Sequence, residues 1–143
     1  MDISNTFIKM CEKAEKIQLA DKREMGSLYW SRDEGLCLLV YPHERVQYGW
    51  ETPWYEPSLV SFTDHRLHPK DHHSFWLPRQ DQLQEMVSGL YYDAVHLVDN
   101  FYLWYRGGAE PSDNCSMEQL WLAFVMKSLY SKIWAGDNWV ASR

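Results

Sequence analysis

The chain lacks most of what the familiar site chemistries need. Its three cysteines, Cys11, Cys37 and Cys115, are odd in number, widely spaced and without a C-x-x-C pair. That argues against a disulfide framework and a cysteine zinc site, and for buried free thiols in a reducing compartment. No apolar run reaches the roughly 18 residues of a membrane span, and the opening Met-Asp-Ile-Ser-Asn has neither a basic n-region nor an apolar h-region. A cytoplasmic location with no membrane partner is expected. Basic residues are also scarce, 14 against 20 acidic ones for a net charge of −6. This disfavours binding to duplex DNA through a dense basic patch.

Catalytic signatures are missing as well. The chain contains no Gly-x-Ser-x-Gly elbow, no Ser-x-x-Lys with its accessory motifs, no Walker loop and no dinucleotide fingerprint. Gly107-Gly108 reads as a helix stop rather than a phosphate cradle. No motif specifies a reaction, so the sequence leans away from an enzyme and calls for no cofactor.

Aromatic surface is what the chain has in abundance: eight Trp, nine Tyr and five Phe among 143 residues. With 45% apolar residues and a length typical of one domain, it can offset its ordering entropy and should fold as a single domain over 1–143.

The clearest local signal lies at the end, in Ser116–Trp139. Ser116 followed by Gln119 fits a capping box, and Gly136 after Trp134 suits a left-handed stop with Lys132 in the last turn. At about 100° per residue, Leu122, Val125, Met126, Leu129 and Ile133 share one face. Leu120, Trp121 and Phe124 fall on the other side. The first turns therefore need cover on two sides, from the protein's own core or from a partner, which makes these three residues a candidate interaction site.

Elsewhere, Phe7, Met10, Cys11, Ala14 and Ile17 predict one amphipathic helix over Ser4–Leu19, capped by Ser4 or Asn5. Ser27–Ser31 and Leu36–Tyr41 predict a hairpin, with further short strands at Arg45–Trp50 and Leu59–Thr63. Asp64–Ser74 has no periodicity and reads as an exposed loop. Pro78 opens a short helix ended by Gly89. In Asp93–Arg106, Ala94, Leu97, Val98, Phe101, Trp104 and Tyr105 fit a helical template, and a strand at Phe101–Tyr105 is the competing assignment. The expected fold is α+β: an N-terminal helix, a small antiparallel sheet of three or four strands, and two or three C-terminal helices packed on it.

Two further constellations have chemical content. Five of the six histidines lie between His43 and His73. His65, His68, His72, His73 and Asp71 are candidate ligands for a divalent metal, and a metal-dependent hydrolase built on that loop is one alternative function. The spacing matches no zinc motif, because Pro69 breaks any helix between His68 and His72. Trp50 and Trp54, with Tyr48 and Tyr55, suit a stacking platform for single-stranded nucleic acid, a second alternative, although acidic neighbours dilute its electrostatics. Aromatics in a small sheet more commonly serve a core or a protein interface.

Trp76–Met86, WLPRQDQLQEM, and Ser116–Trp139, SMEQLWLAFVMK followed by WAGDNW, resemble a family of small uncharacterised proteins encoded in phages and prophages of Gram-positive bacteria. Ile8–Gln18 resembles that family's opening helix more loosely. The resemblance implies a prophage context and a cytoplasmic protein. The family offers no activity to transfer, so no catalytic or binding residue is carried over. The leading expectation is a non-enzymatic accessory or interaction protein whose partner is another protein or a second copy of itself.

Overall fold

A computed structural model describes residues 1–40, 58–63, 67–69, 74–108, 111 and 114–143. It has the mixed α+β character expected, and the chain divides into two units, 20–77 and a discontinuous one made of 1–19 and 78–143.

Unit 20–77 holds an antiparallel sheet of five strands: β1 (Leu28–Ser31), β2 (Gly35–Val40), β3 (Ser58–Ser61), β4 (Leu67–Pro69) and β5 (Ser74–Leu77), in the order β4-β3-β2-β1-β5. β1 and β2 form the predicted hairpin. Gly35 turns it at φ +74°, a conformation glycine adopts without steric cost, while pairing with Ser31. Successive side chains alternate between faces. Tyr29 therefore lies across from both Cys37 and Trp76, and Leu39 across from Leu59, all of them buried. The Tyr29 hydroxyl leaves this apolar row to donate to the Asp21 carboxylate.

Part of the expected Asp64–Ser74 loop is sheet instead. Residues 67–69 pair with 58–60, and Pro69, which has no N–H to give, ends that edge strand. The strand expected at Arg45–Trp50 lies outside the described residues.

The other unit contains α1 (Asn5–Lys13), α2 (Glu15–Leu19), α3 (Gln80–Ser88), α4 (Ala94–Arg106), α5 (Met117–Tyr130) and a closing hairpin of β6 (Lys132–Trp134) and β7 (Trp139–Ala141). α5 is its centre and packs against α1, α3 and β6. Residues Gln119–Met126 are buried without interruption, so the helix is enclosed on every side over two turns.

Two helices are shorter than the sequence predicts. The N-terminal helix is not continuous to Leu19: it breaks at Ala14, whose ψ of 67° is non-helical. Neither proline nor glycine marks the break. It is held by tertiary donors, because Gln18 Nε2 reaches the Cys11 carbonyl at 3.1 Å and Trp139 Nε1 reaches the Met10 carbonyl at 2.9 Å. Nor does α5 run to Trp134. Ser131, left-handed at φ 52°, ends it after Tyr130. Lys132 then starts a strand, and Gly136, at φ +95°, sits in the turn between the paired Trp134 and Trp139.

The start of α5 is the one the sequence predicts. Ser116 Oγ accepts the Gln119 N–H at 3.1 Å. The reciprocal half of the box does not form, because the Gln119 amide donates to the Asp2 carboxylate at 2.7 Å and to Ser4 Oγ at 3.1 Å. Ser4 in turn caps α1 through the Phe7 N–H. One polar cluster thus ties the starts of α1 and α5 together.

Candidate docking surface

What covers the second side of α5 is α4. Leu120, Trp121 and Phe124 are only 9%, 2% and 3% exposed, so as a surface patch they carry no partner site. Phe101 stacks on Trp121 with ring centroids 4.1 Å apart and planes within 10°, and meets Phe124 edge-on at 5.5 Å. Trp104 packs on Phe124 at 5.5 Å, and Tyr91, just before α4, stacks on it at 6.3 Å. Such ring pairs add about 0.5–1.5 kcal/mol each beyond the area they bury. The arrangement leaves two polar groups unsatisfied: the indole N–H groups of Trp104 and Trp121 are buried with no acceptor among the described residues.

α4 is well defined at both ends. Asp93 accepts the His96 N–H at 2.9 Å and the His96 ring Nδ1 at 2.8 Å, and these contacts hold its carboxyl below its ordinary pKa. The Gly107 N–H closes the other end on the carbonyls of Leu103 and Trp104, both at 3.1 Å. These signals settle the assignment as helix rather than strand.

Only part of its apolar surface faces α5. Leu97, Phe101 and Trp104 project within about 60° of one another at 100° per residue and form the inner face. Val95, Val98 and Tyr102 project to another side of the helix and remain 75%, 54% and 52% exposed, with Tyr105 exposed beside them. Together with Ala94 and Asp99, the first three line an open depression of about 480 Å³. The Arg106 guanidinium lies 5.7 Å from the centre of the Tyr102 ring, within cation–π range. Isolated exposed apolar residues are ordinary, but a contiguous stripe with a polar rim marks an interaction surface.

The sequence contained this stripe without revealing it. The helical template places Val98 and Tyr105 on a single apolar face with Leu97, Phe101 and Trp104, whereas the fold separates them into two stripes. The spacing 95, 98, 102, 105 is itself a heptad-like seam.

His65, Asp71, His72, His73, Trp50 and Trp54 lie outside the described residues, and His68 falls within β4. Among the described residues no group of three or more His, Cys, Asp or Glu side chains is placed to hold a metal, and no helix is long and apolar enough to cross a membrane. The Cys11 thiol is fully buried, and its pKa is pushed well up by that burial and by the Asp2 charge, which suppresses the thiolate. Comparison with family models, with curated proteins and with solved structures finds no match.

Proposed function

We propose that this chain is a non-enzymatic accessory or interaction protein of phage origin, acting in the cytoplasm, and that it docks through the outer face of α4. The observation that carries this reading is the exposure of Val95, Val98 and Tyr102 on a helix whose inner face is already committed to α5. Exposed aliphatic groups on a helix held at both ends present an interface with little ordering entropy left to lose. The resemblance of Trp76–Met86 and Ser116–Trp139 to small phage-encoded proteins, and a sequence without a recognised catalytic motif, support the accessory role.

Site-specific photo-crosslinking tests it. A benzophenone amino acid replacing Val98 should give adducts heavier than the chain in the cells that produce it, whereas the same probe at exposed Lys16 on α2 should not. Failure of the Val98 probe to give any adduct, or equal yields from both positions, would overturn the reading.

A further inference from the structure

We infer that the partner seated on the outer face of α4 is a second copy of this chain, paired antiparallel about a two-fold axis; this rests on the docking role proposed for that face. The argument is charge complementarity. Asp99 and Arg106, both exposed, project at about 140° and 120° on the same flank of the Val95–Val98–Tyr102 stripe when residues advance by about 100° each. They stand two turns apart, about 10.5 Å along the helix axis.

When identical helices pair antiparallel about a two-fold axis, like flanks meet. An axis passing between Tyr102 and Leu103 therefore sets Asp99 of each copy against Arg106 of the other, forming the same ion pair twice. That register brings the two Tyr102 rings together at the axis and leaves Val98 of each copy about 3 Å along the axis from the level of Tyr105 of the other, within reach of its ring.

Three properties of α4 favour the arrangement. The seam at 95, 98, 102 and 105 has the 3, 4, 3 spacing of a helix-pairing face. Antiparallel pairing sets each helix's positive N-terminal end beside the other's negative C-terminal end. The Arg106 guanidinium is already stationed over its own Tyr102 ring, so it can reach the opposing carboxylate with little loss of rotamer freedom. A partner with an unrelated surface has no such reason to match an acid and a base two turns apart on one flank. A helix of 13 residues offers a short seam, so the paired surface falls near the lower end for stable interfaces, roughly 1,200 Å² in total. The dimer should dissociate on dilution.

The experiment is sedimentation equilibrium of the full chain over a concentration series, with circular dichroism confirming the fold of each variant. The wild-type chain should approach twice its 17.1 kDa mass at high concentration. Asp99→Arg alone sets Arg against Arg, and Arg106→Asp alone sets Asp against Asp. Each should weaken association at least about tenfold. The double variant Asp99→Arg/Arg106→Asp restores opposite charges and should recover the wild-type association. Folded wild-type protein that stays monomeric at every concentration would overturn the inference. So would association that the single substitutions leave unchanged or the double substitution fails to restore. If the Val98 crosslinks join a different chain while the protein sediments as a monomer, the second copy is refuted and the docking face stands. If no adduct forms at all, both readings fall.

Discussion

The indole Nε1 of Trp139 donates to the backbone carbonyl of Met10 across 2.9 Å, in a buried contact between the closing hairpin and the end of α1. That carbonyl would serve the Ala14 N–H if α1 continued, but Ala14 bonds to Cys11 instead. Met10 is therefore left with a buried acceptor that the indole satisfies. A buried carbonyl without a donor costs about 1–3 kcal/mol.

Trp139→Phe keeps most of the ring packing against Trp134, 5.1 Å away between centroids, and removes the donor. Urea unfolding should show a loss of about 1–3 kcal/mol. Gln18→Ala should cost less, because the Cys11 carbonyl that Gln18 reaches also accepts the Ala14 N–H.

The cluster between α4 and α5 gives an asymmetric pair of expectations. Phe124 is buried among Phe101, Trp104, Trp121 and Tyr91, so Phe124→Ala should lose about 3–5 kcal/mol. Trp121→Phe also leaves a smaller ring, but it removes a buried N–H that has no acceptor among the described residues. The relief offsets part of the lost packing, and chemical denaturation should show a loss below about 2 kcal/mol.

Acid should loosen the start of α5 through Asp2. Burial raises the pKa of this carboxyl, but bonds from Ser116, from the backbone N–H and hydroxyl of Ser4, and from Gln119 outweigh burial and bring it below the ordinary value of 3.8. A group whose pKa is lowered by folding contributes stability above its unfolded value, and that contribution is lost as pH falls through the folded value. At pH 7, Asp2→Asn should therefore be less stable than wild type. The gap should close as pH falls below 3.8, followed by thermal melts of both proteins across the acid range.

The parts of the fold that were legible in the sequence are those governed by neighbours a few residues away. Ser116 caps the helix it was expected to cap, Ser4 is the one of the two candidates, Ser4 and Asn5, that caps α1, and the hairpin expected from Ser27–Ser31 and Leu36–Tyr41 forms with its turn at Gly35. What was not legible depends on groups distant in sequence. The break at Ala14 rests partly on a donor from Trp139, and the capping box at Ser116 is half formed because Asp2 and Ser4 take the Gln119 amide. At Ser131 a non-glycine residue accepts a left-handed conformation, and the Trp134–Trp139 and Ile133–Val140 cross-strand pairs follow from the hairpin it opens. The candidate site was obscured for a related reason: residues on two sides of α4 are equally apolar, and only the position of α5 shows which of them the core uses.

On this reading α4 uses two faces, the inner closing the core on α5 and the outer holding a second copy. Methyl NMR on a dilution series tests this most directly. The Val95 and Val98 methyl signals should shift with protein concentration while those of buried Leu97 and Leu122 stay fixed. Outer-face signals that do not move, or inner and outer signals that move together, would contradict it.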